Sequence, residues 1–244
     1  MERKKYFIII VGLLWVVNGW ASNKEKIYNA YISGNMPQWK TIIDQMQHDP
    51  CNSPEFLIEL INYQYGYIGW CVGADKTKEA KHYLGLAEEN LKKLENQNYS
   101  PSEINAYKSA LYGFKIGLSP LKAPVLGPKS VNYSKLAMDQ DKNNPMGYIQ
   151  YGNSQFYMPP VFGGSKKVAI DYFEKALELM EGDSLQTRCN WNYLSLLTQI
   201  AQSFEAIEED EKAEFYYQTI LKKEPRFVYV KEELYPEFLK EKNE

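Results

Sequence analysis

The chain has 244 residues, of which 24% are charged, and a formal net charge of −3, so no basic excess is available to neutralise a phosphate backbone and nucleic-acid binding is disfavoured. Aromatic residues make up 14%, with Tyr foremost at 20. Disordered chains are poor in such residues, so one or two folded domains with a real core are expected.

Residues 1–21 have the three parts of a secretory signal peptide. Arg3-Lys4-Lys5 is a basic start and Tyr6–Val17 is an unbroken apolar run of twelve residues. Gly19-Trp20-Ala21 then places small residues at the −3 and −1 positions of a cut after Ala21. The alternative is an uncleaved anchor, but twelve apolar residues fall short of the roughly 20 that cross a bilayer. No Cys follows the cut, so a lipid anchor is not expected, and nothing later is apolar enough to span a membrane. The segment carries a net +2, leaving about −5 for residues 22–244, which read as one helical repeat domain in the periplasm or outside the cell.

The rest of the chain reads as helices. Asn23–Ser33 and Met36–His48 form a first pair, broken at Gly34-Asn35 and ended near Pro50. Pro54–Gly69 is a long apolar helix, and Thr77–Gln97 carries Ala80, Leu84, Ala87 and Leu91 on one stripe. Pro101–Leu118 with Lys129–Asp141, Pro145–Tyr157 with Lys166–Met180, and Leu185–Ile207 with Glu211–Lys223 complete five pairs. Tyr229–Lys240 stands alone, polar on its outer face, as a cap would be.

The pairs repeat. The dipeptide Tyr-Gly recurs at Tyr65-Gly66, Tyr112-Gly113 and Tyr151-Gly152. With each Gly at position 8, Ser130 and Ala169 take position 20, and Ala137 and Ala176 take position 27. Ala80 and Ala87 do the same in the second unit, with two extra residues before them. Glycine inside a helix costs about 1 kcal/mol relative to Ala, so its recurrence calls for close helix crossings. In Leu194–Phe227, Leu197, Ile200, Ala201 and Phe204 fall at positions 4, 7, 8 and 11, and Ala213, Tyr217 and Pro225 at 20, 24 and 32. This spacing resembles the tetratricopeptide (TPR) repeat from about Asn23 to the C-terminus, most closely in the fifth unit; Ser134 stands where an aromatic is usual. Tyr63–Trp70, Asn105–Gly113 and Gly147–Lys166 also resemble a group of secreted TPR proteins of Gram-negative bacteria that brings no established activity. The resemblance implies an all-α solenoid of about five antiparallel helix pairs with a C-terminal capping helix.

Units three and four depart from the template. Gly113–Ser130 and Gly152–Ala169 are each 17 apart where about 12 is usual, and both insertions hold a Pro-Val-apolar-Gly element, Pro124–Gly127 and Pro160–Gly163. Apolar loop residues avoid water, so each loop is expected to fold back on its own repeat. The other reading is a lip that narrows one edge of the groove.

No catalytic set emerges. His48 sits at a helix C-terminus and His82 beside Lys81, neither near residues that suggest a triad or a metal site. Gly163–Lys166 and Gly127–Ser130 loosely resemble phosphate-binding loops but lack the upstream Gly and the strand; Ser165 reads better as an N-cap. Cys51, Cys71 and Cys189 have no metal or redox spacing and read as small hydrophobes, although export would permit a disulfide. Asp183-Ser184-Leu185 resembles a short O-glycosylation acceptor of exported bacterial proteins, or is simply a turn with an N-cap. No cofactor or metal is expected.

On a TPR helix A, positions 2, 5, 9 and 12 line the concave groove. Unit two then offers Leu60, Tyr63, Tyr67 and Trp70, and unit three Tyr107, Ala110, Phe114 and Gly117. Unit four offers Met146, Ile149, Asn153 and Phe156, and unit five Ser195, Thr198, Gln202 and Glu205. Tyr63, Tyr67, Trp70, Tyr107, Phe114, Asn153, Phe156 and Gln202 are the candidate ligand surface; alternatively, a tight superhelix buries the aromatics against one another. Lys108 and Lys115 fall off the groove face, which argues against a clamp for a C-terminal carboxylate. The expected function is a non-enzymatic scaffold for a protein or peptide, with a glycan or small-ligand module as the alternative and a domain of an envelope enzyme as the alternative of another class.

Overall fold

The computed structural model describes residues 22–242; the expected signal segment and residues 243–244 lie outside them. Every regular element among the described residues is helical: α1 Asn23–Ile32, α2 Met36–Gln47, α3 Pro54–Gly73, α4 Thr77–Asn96, α5 Pro101–Gly117, α6 Ala123–Gln140, α7 Pro145–Tyr157, α8 Lys166–Glu181, α9 Ser184–Thr187, α10 Trp191–Glu205, α11 Asp210–Lys223 and α12 Tyr235–Lys242. Short 3-10 turns occupy Pro120–Lys122 and Pro160–Phe162, and a π-helical turn, Tyr229–Leu234, leads into α12. The starts are chemically marked. Ser53, Ser100 and Ser165 accept from the backbone N–H three residues on, and Pro54, Pro101 and Pro145 open their helices, where the missing N–H costs nothing.

Helices pair as α1/α2, α3/α4, α5/α6, α7/α8 and α10/α11, and each pair packs on the next, the TPR-like solenoid that the spacing predicts. Ala80, Ala87, Ala137, Ala169, Ala176, Ala201 and Ala213 are all fully buried at the helix crossings, and Ser130 nearly so. The Ser130 hydroxyl donates to the Ser109 carbonyl at 2.9 Å and the Ser109 hydroxyl to the Ser130 carbonyl at 2.8 Å, stapling α5 to α6. Of the three repeated glycines, two are needed for close approach. A Cβ on Gly152 would lie 2.5 Å from the Phe173 ring, and one on Gly66 2.7 Å from both Trp39 and Trp191. Gly113 faces open space, so its place in the pattern has no packing reason.

Buried phenols are tied to carboxylates across helices. Tyr67 donates to Glu79 at 2.9 Å, Tyr83 to Asp44 at 2.5 Å, Tyr193 to Glu181 at 2.7 Å and Tyr217 to Glu205 at 2.7 Å. Burial first, then these acceptors, push all four phenols up from their usual pKa, so they remain donors.

Three boundaries differ from the sequence expectation. α3 runs on to Gly73. α6 begins at Ala123, so Pro124–Gly127 is helix rather than loop, with Pro128 inside it. Pro128 cannot bond the carbonyl of Pro124, but both residues are exposed and water can serve that carbonyl. α10 begins at Trp191 because Cys189, at φ 46°, breaks the chain after the short α9.

The last units swing round to meet the first. Trp191 on α10 packs edge-on against Trp39 at 5.1 Å and Tyr31 at 5.8 Å, and Tyr31 meets Phe227 at 4.9 Å. Polar ends are satisfied: Trp39 donates to the Tyr63 carbonyl at 3.0 Å, Trp191 to Asn62 at 2.8 Å and Tyr28 to Glu224 at 3.0 Å. The π-helical turn and α12 cap the far end by burying Val230 and Phe238, the latter 5.4 Å from Tyr217.

Candidate functional site

Closure fills much of the groove. Tyr63, Tyr67 and Tyr107 are buried, and so is Leu60. Tyr63 donates to Glu59 at 2.6 Å, and Tyr107 accepts from Asn62 at 2.8 Å. Trp70 is half-buried under the Lys76 ammonium, 5.1 Å from its ring. Phe114, Asn153, Phe156 and Gln202 are half-buried.

The reason lies in the register of unit two. Counting back twelve residues from Ala80 puts position 8 at Ile68, which is fully buried, and not at Gly66. Positions 2, 5, 9 and 12 then become Asn62, Tyr65, Gly69 and Val72, all half-buried, as Gly66 and Trp70 also are. The two extra residues assumed before Ala80 belong to the longer α3. Tyr65 therefore takes the inner position that the glycine count assigns to Tyr63.

Around Tyr65 the inner face gathers side chains from four elements. Its ring lies 5.4 Å from Phe114 and 6.0 Å from Tyr107, and its hydroxyl accepts from Gln150 at 3.1 Å. Asn153 donates to the Gln150 amide oxygen at 3.4 Å and lies near enough to the Tyr65 hydroxyl to lower its pKa, which nearby Tyr157 raises. Tyr157 in turn lies within electrostatic range of Tyr229, and Tyr229 of Tyr31. Tyr157 is 70% exposed and Tyr229 41%, yet burial raises the pKa of both hydroxyls. Phe156 stands edge-on to Tyr157 at 5.0 Å. Of the expected residues, the fold thus brings Phe114, Asn153 and Phe156 together around Tyr65 and Tyr157. Tyr65, Tyr157 and Tyr229 were not expected at the site; the Ala80–Ala87 spacing carried the signal for Tyr65, and nothing local marks Tyr229.

On the other side of Trp191 a cavity of about 230 Å³ is walled by Glu59, Asn62, Glu103, Asn190 and the edges of Tyr63 and Tyr107. Burial raises the Glu103 carboxyl above its usual range, and Tyr99 partly offsets this by bonding it.

The rest of the surface gives little chemistry. Among the described residues no group of three or more His, Cys, Asp or Glu could hold a metal ion. His48 bonds the Asp44 carbonyl at its helix end, at 2.7 Å. All three cysteines are free, and only Cys71 is buried; Cys51 is exposed, against expectation. Ser165 caps α8, so Gly163–Lys166 is a helix start. Asp183 caps the Leu185 N–H at 2.9 Å beside exposed Ser184.

The fold is a TPR-like helical solenoid with a partly filled inner face. No family model matches the chain, and no curated protein matches it. Among solved structures it is similar to the HusA haemophore from Porphyromonas gingivalis, with a TM-score of 0.61, 18% identity, and coverage of 74% of this chain and 90% of that one. A MamA protein aligns over 86% of this chain and 96% of its own, with 17% identity and a TM-score of 0.38.

Proposed function

We propose that the chain is a non-catalytic binding scaffold that holds a flat, apolar ligand on its inner face, among Tyr65, Phe114, Tyr157 and Tyr229. The observation that carries this reading is Tyr157, largely accessible beside Phe156 and near the packed rings of Tyr65 and Phe114. Large, stiff rings stack at small entropic cost, and phenol hydroxyls can orient a polar edge. Burial of Tyr63, Tyr67 and Tyr107 removes most of the long aromatic stripe that an extended peptide would use, which favours a ring system. A protein or glycan ligand becomes the reading if ring systems fail to bind.

The similarity to a protein titled a haemophore makes haem the first probe. Titration of haemin and iron-free protoporphyrin into the chain from Ser22 onward should shift the porphyrin band and quench tryptophan emission. Tyr157→Ala and Tyr229→Ala should each weaken binding about tenfold or more, as central aromatic contacts do, with melting unchanged. Absence of binding, or binding indifferent to both changes, removes the ring-system reading.

The scaffold is proposed to act after export, on the strength of residues 1–21 alone. Mass spectrometry of the natively produced protein should find Ser22 at the N-terminus. An intact Met1 in the membrane fraction would argue for an anchor.

A further inference from the structure

Leu126 is half-buried, but the other apolar side chains of the two inserted segments do not fold back onto their repeats. Leu121 is 94% exposed, Val125 65%, Val161 83% and Phe162 72%. Single exposed apolar residues are ordinary, but four at the tips of two insertions form an apolar edge. Both insertions join helix A to helix B, and α7 packs on both α5 and α6, so the two tips project from the same edge of the stack. In unit four the tip is held out by a 3-10 turn that closes on Gly163 at φ 95°.

The charge around these tips is one-sided. The chain carries 31 acidic residues, yet none lies between Glu103 and Asp139 and none between Asp141 and Asp171. Lys122, Lys129, Lys166 and Lys167 flank the tips and are exposed, and none is in an ion pair among the described residues. Lys166 donates to the Ala206 carbonyl at 3.2 Å and lies 5.7 Å from the Phe156 ring, and Lys129 lies 6.0 Å from that of Tyr112. The neighbouring turn of unit five, before α11, is acidic at Glu208–Glu211 but has no insertion. The two tips therefore reach a flat surface first, and the acidic turn confines contact to units three and four.

We propose that this edge docks on an anionic lipid surface, with Leu121, Val125, Val161 and Phe162 inserted at the headgroup boundary and the four lysines facing lipid phosphates. The chemistry matches both parts of the edge. Apolar tips gain from leaving water, and each nearby Lys gains from a negative surface potential that salt screens. An acidic protein surface would satisfy the lysines but not the protruding tips, and an apolar protein groove the reverse.

Vesicle flotation tests the proposal with the chain from Ser22 onward, which contains the whole core from Ile27 to Phe238. It should float with mixed phosphatidylglycerol and phosphatidylcholine vesicles at low salt, less at high salt, and not with phosphatidylcholine alone. Val161→Asp with Phe162→Asp, or Leu121→Asp with Val125→Asp, should lower binding at least about tenfold, since each pair removes two inserted side chains. Replacing the four lysines by Glu should abolish it. These positions are exposed, so helical circular dichroism and melting should match the parent and exclude misfolding as the cause. No flotation on anionic vesicles at low salt, or flotation unchanged by the tip substitutions, overturns the proposal and leaves the edge to a protein partner.

Discussion

Trp191→Ala should lower stability by about 3–5 kcal/mol, the range for truncating a buried aromatic, and should open the coil. Trp191 is 5% exposed and joins α10 to α2 and α3 through Trp39, Tyr65 and Gly66. Most contacts in a repeat stack are between neighbours, so one residue rarely holds distant units together. Here it does, because Gly66 leaves room for an indole that a methyl would exclude. Truncation also strands the Asn62 amide that the indole N–H now bonds at 2.8 Å. Chemical denaturation gives the loss of stability, and small-angle scattering should show a larger radius of gyration. Trp191→Phe, which keeps a ring in place, should lose less and remain compact. A Trp191→Ala variant that melts and scatters like the parent would mean that the closure contributes nothing to the fold.

That contact also marks where sequence reasoning stops. Ala213, Tyr217 and Pro225 announce the fifth unit because their roles are local: a small residue at a crossing, a ring beneath it, a helix end. The pairing of helices follows from such residues, and the structure keeps it. How tightly five units coil depends on small rotations summed over the stack, and no residue pattern within one unit encodes that sum. Trp39 and Trp191 therefore meet across 152 positions without any local sign. At the candidate site the departure is one of register. The Tyr-Gly dipeptides suggested a register for unit two that Ala80 and Ala87 contradict by two residues, and a two-residue shift rotates a helix by more than half a turn. Tyr63 and Tyr67 went to the core, and Tyr65 came to the inner face. The insertions misled for another reason. Burial of apolar residues is a tendency of cores, and Leu121 and Phe162 lie on tips with no core within reach.

Gly152→Leu separates a glycine with a packing role from one without. The Phe173 ring already lies where the new Cβ would go, at 2.5 Å, and Phe173 is itself fully buried with no space to retreat into. Overpacking of this kind costs about 1–3 kcal/mol, and Ala213→Leu, at a fully buried crossing between α10 and α11, should fall in the same range. Gly113→Leu shares the Tyr-Gly context but meets nothing within 4 Å of its Cβ. Replacing a helical Gly there should be neutral or raise stability by up to about 1 kcal/mol, because the unfolded chain loses freedom and the helix gains propensity. Lys222→Leu, on the exposed side of α11, should change little. Urea denaturation of the four variants orders them. If Gly113→Leu destabilises as much as Gly152→Leu, then α5 and α6 approach as closely as α7 and α8, and all three units share one crossing geometry. If only Gly152→Leu and Ala213→Leu are costly, the Tyr-Gly repeat is a trace of the unit's pattern whose packing role in unit three has passed to Ser109 and Ser130.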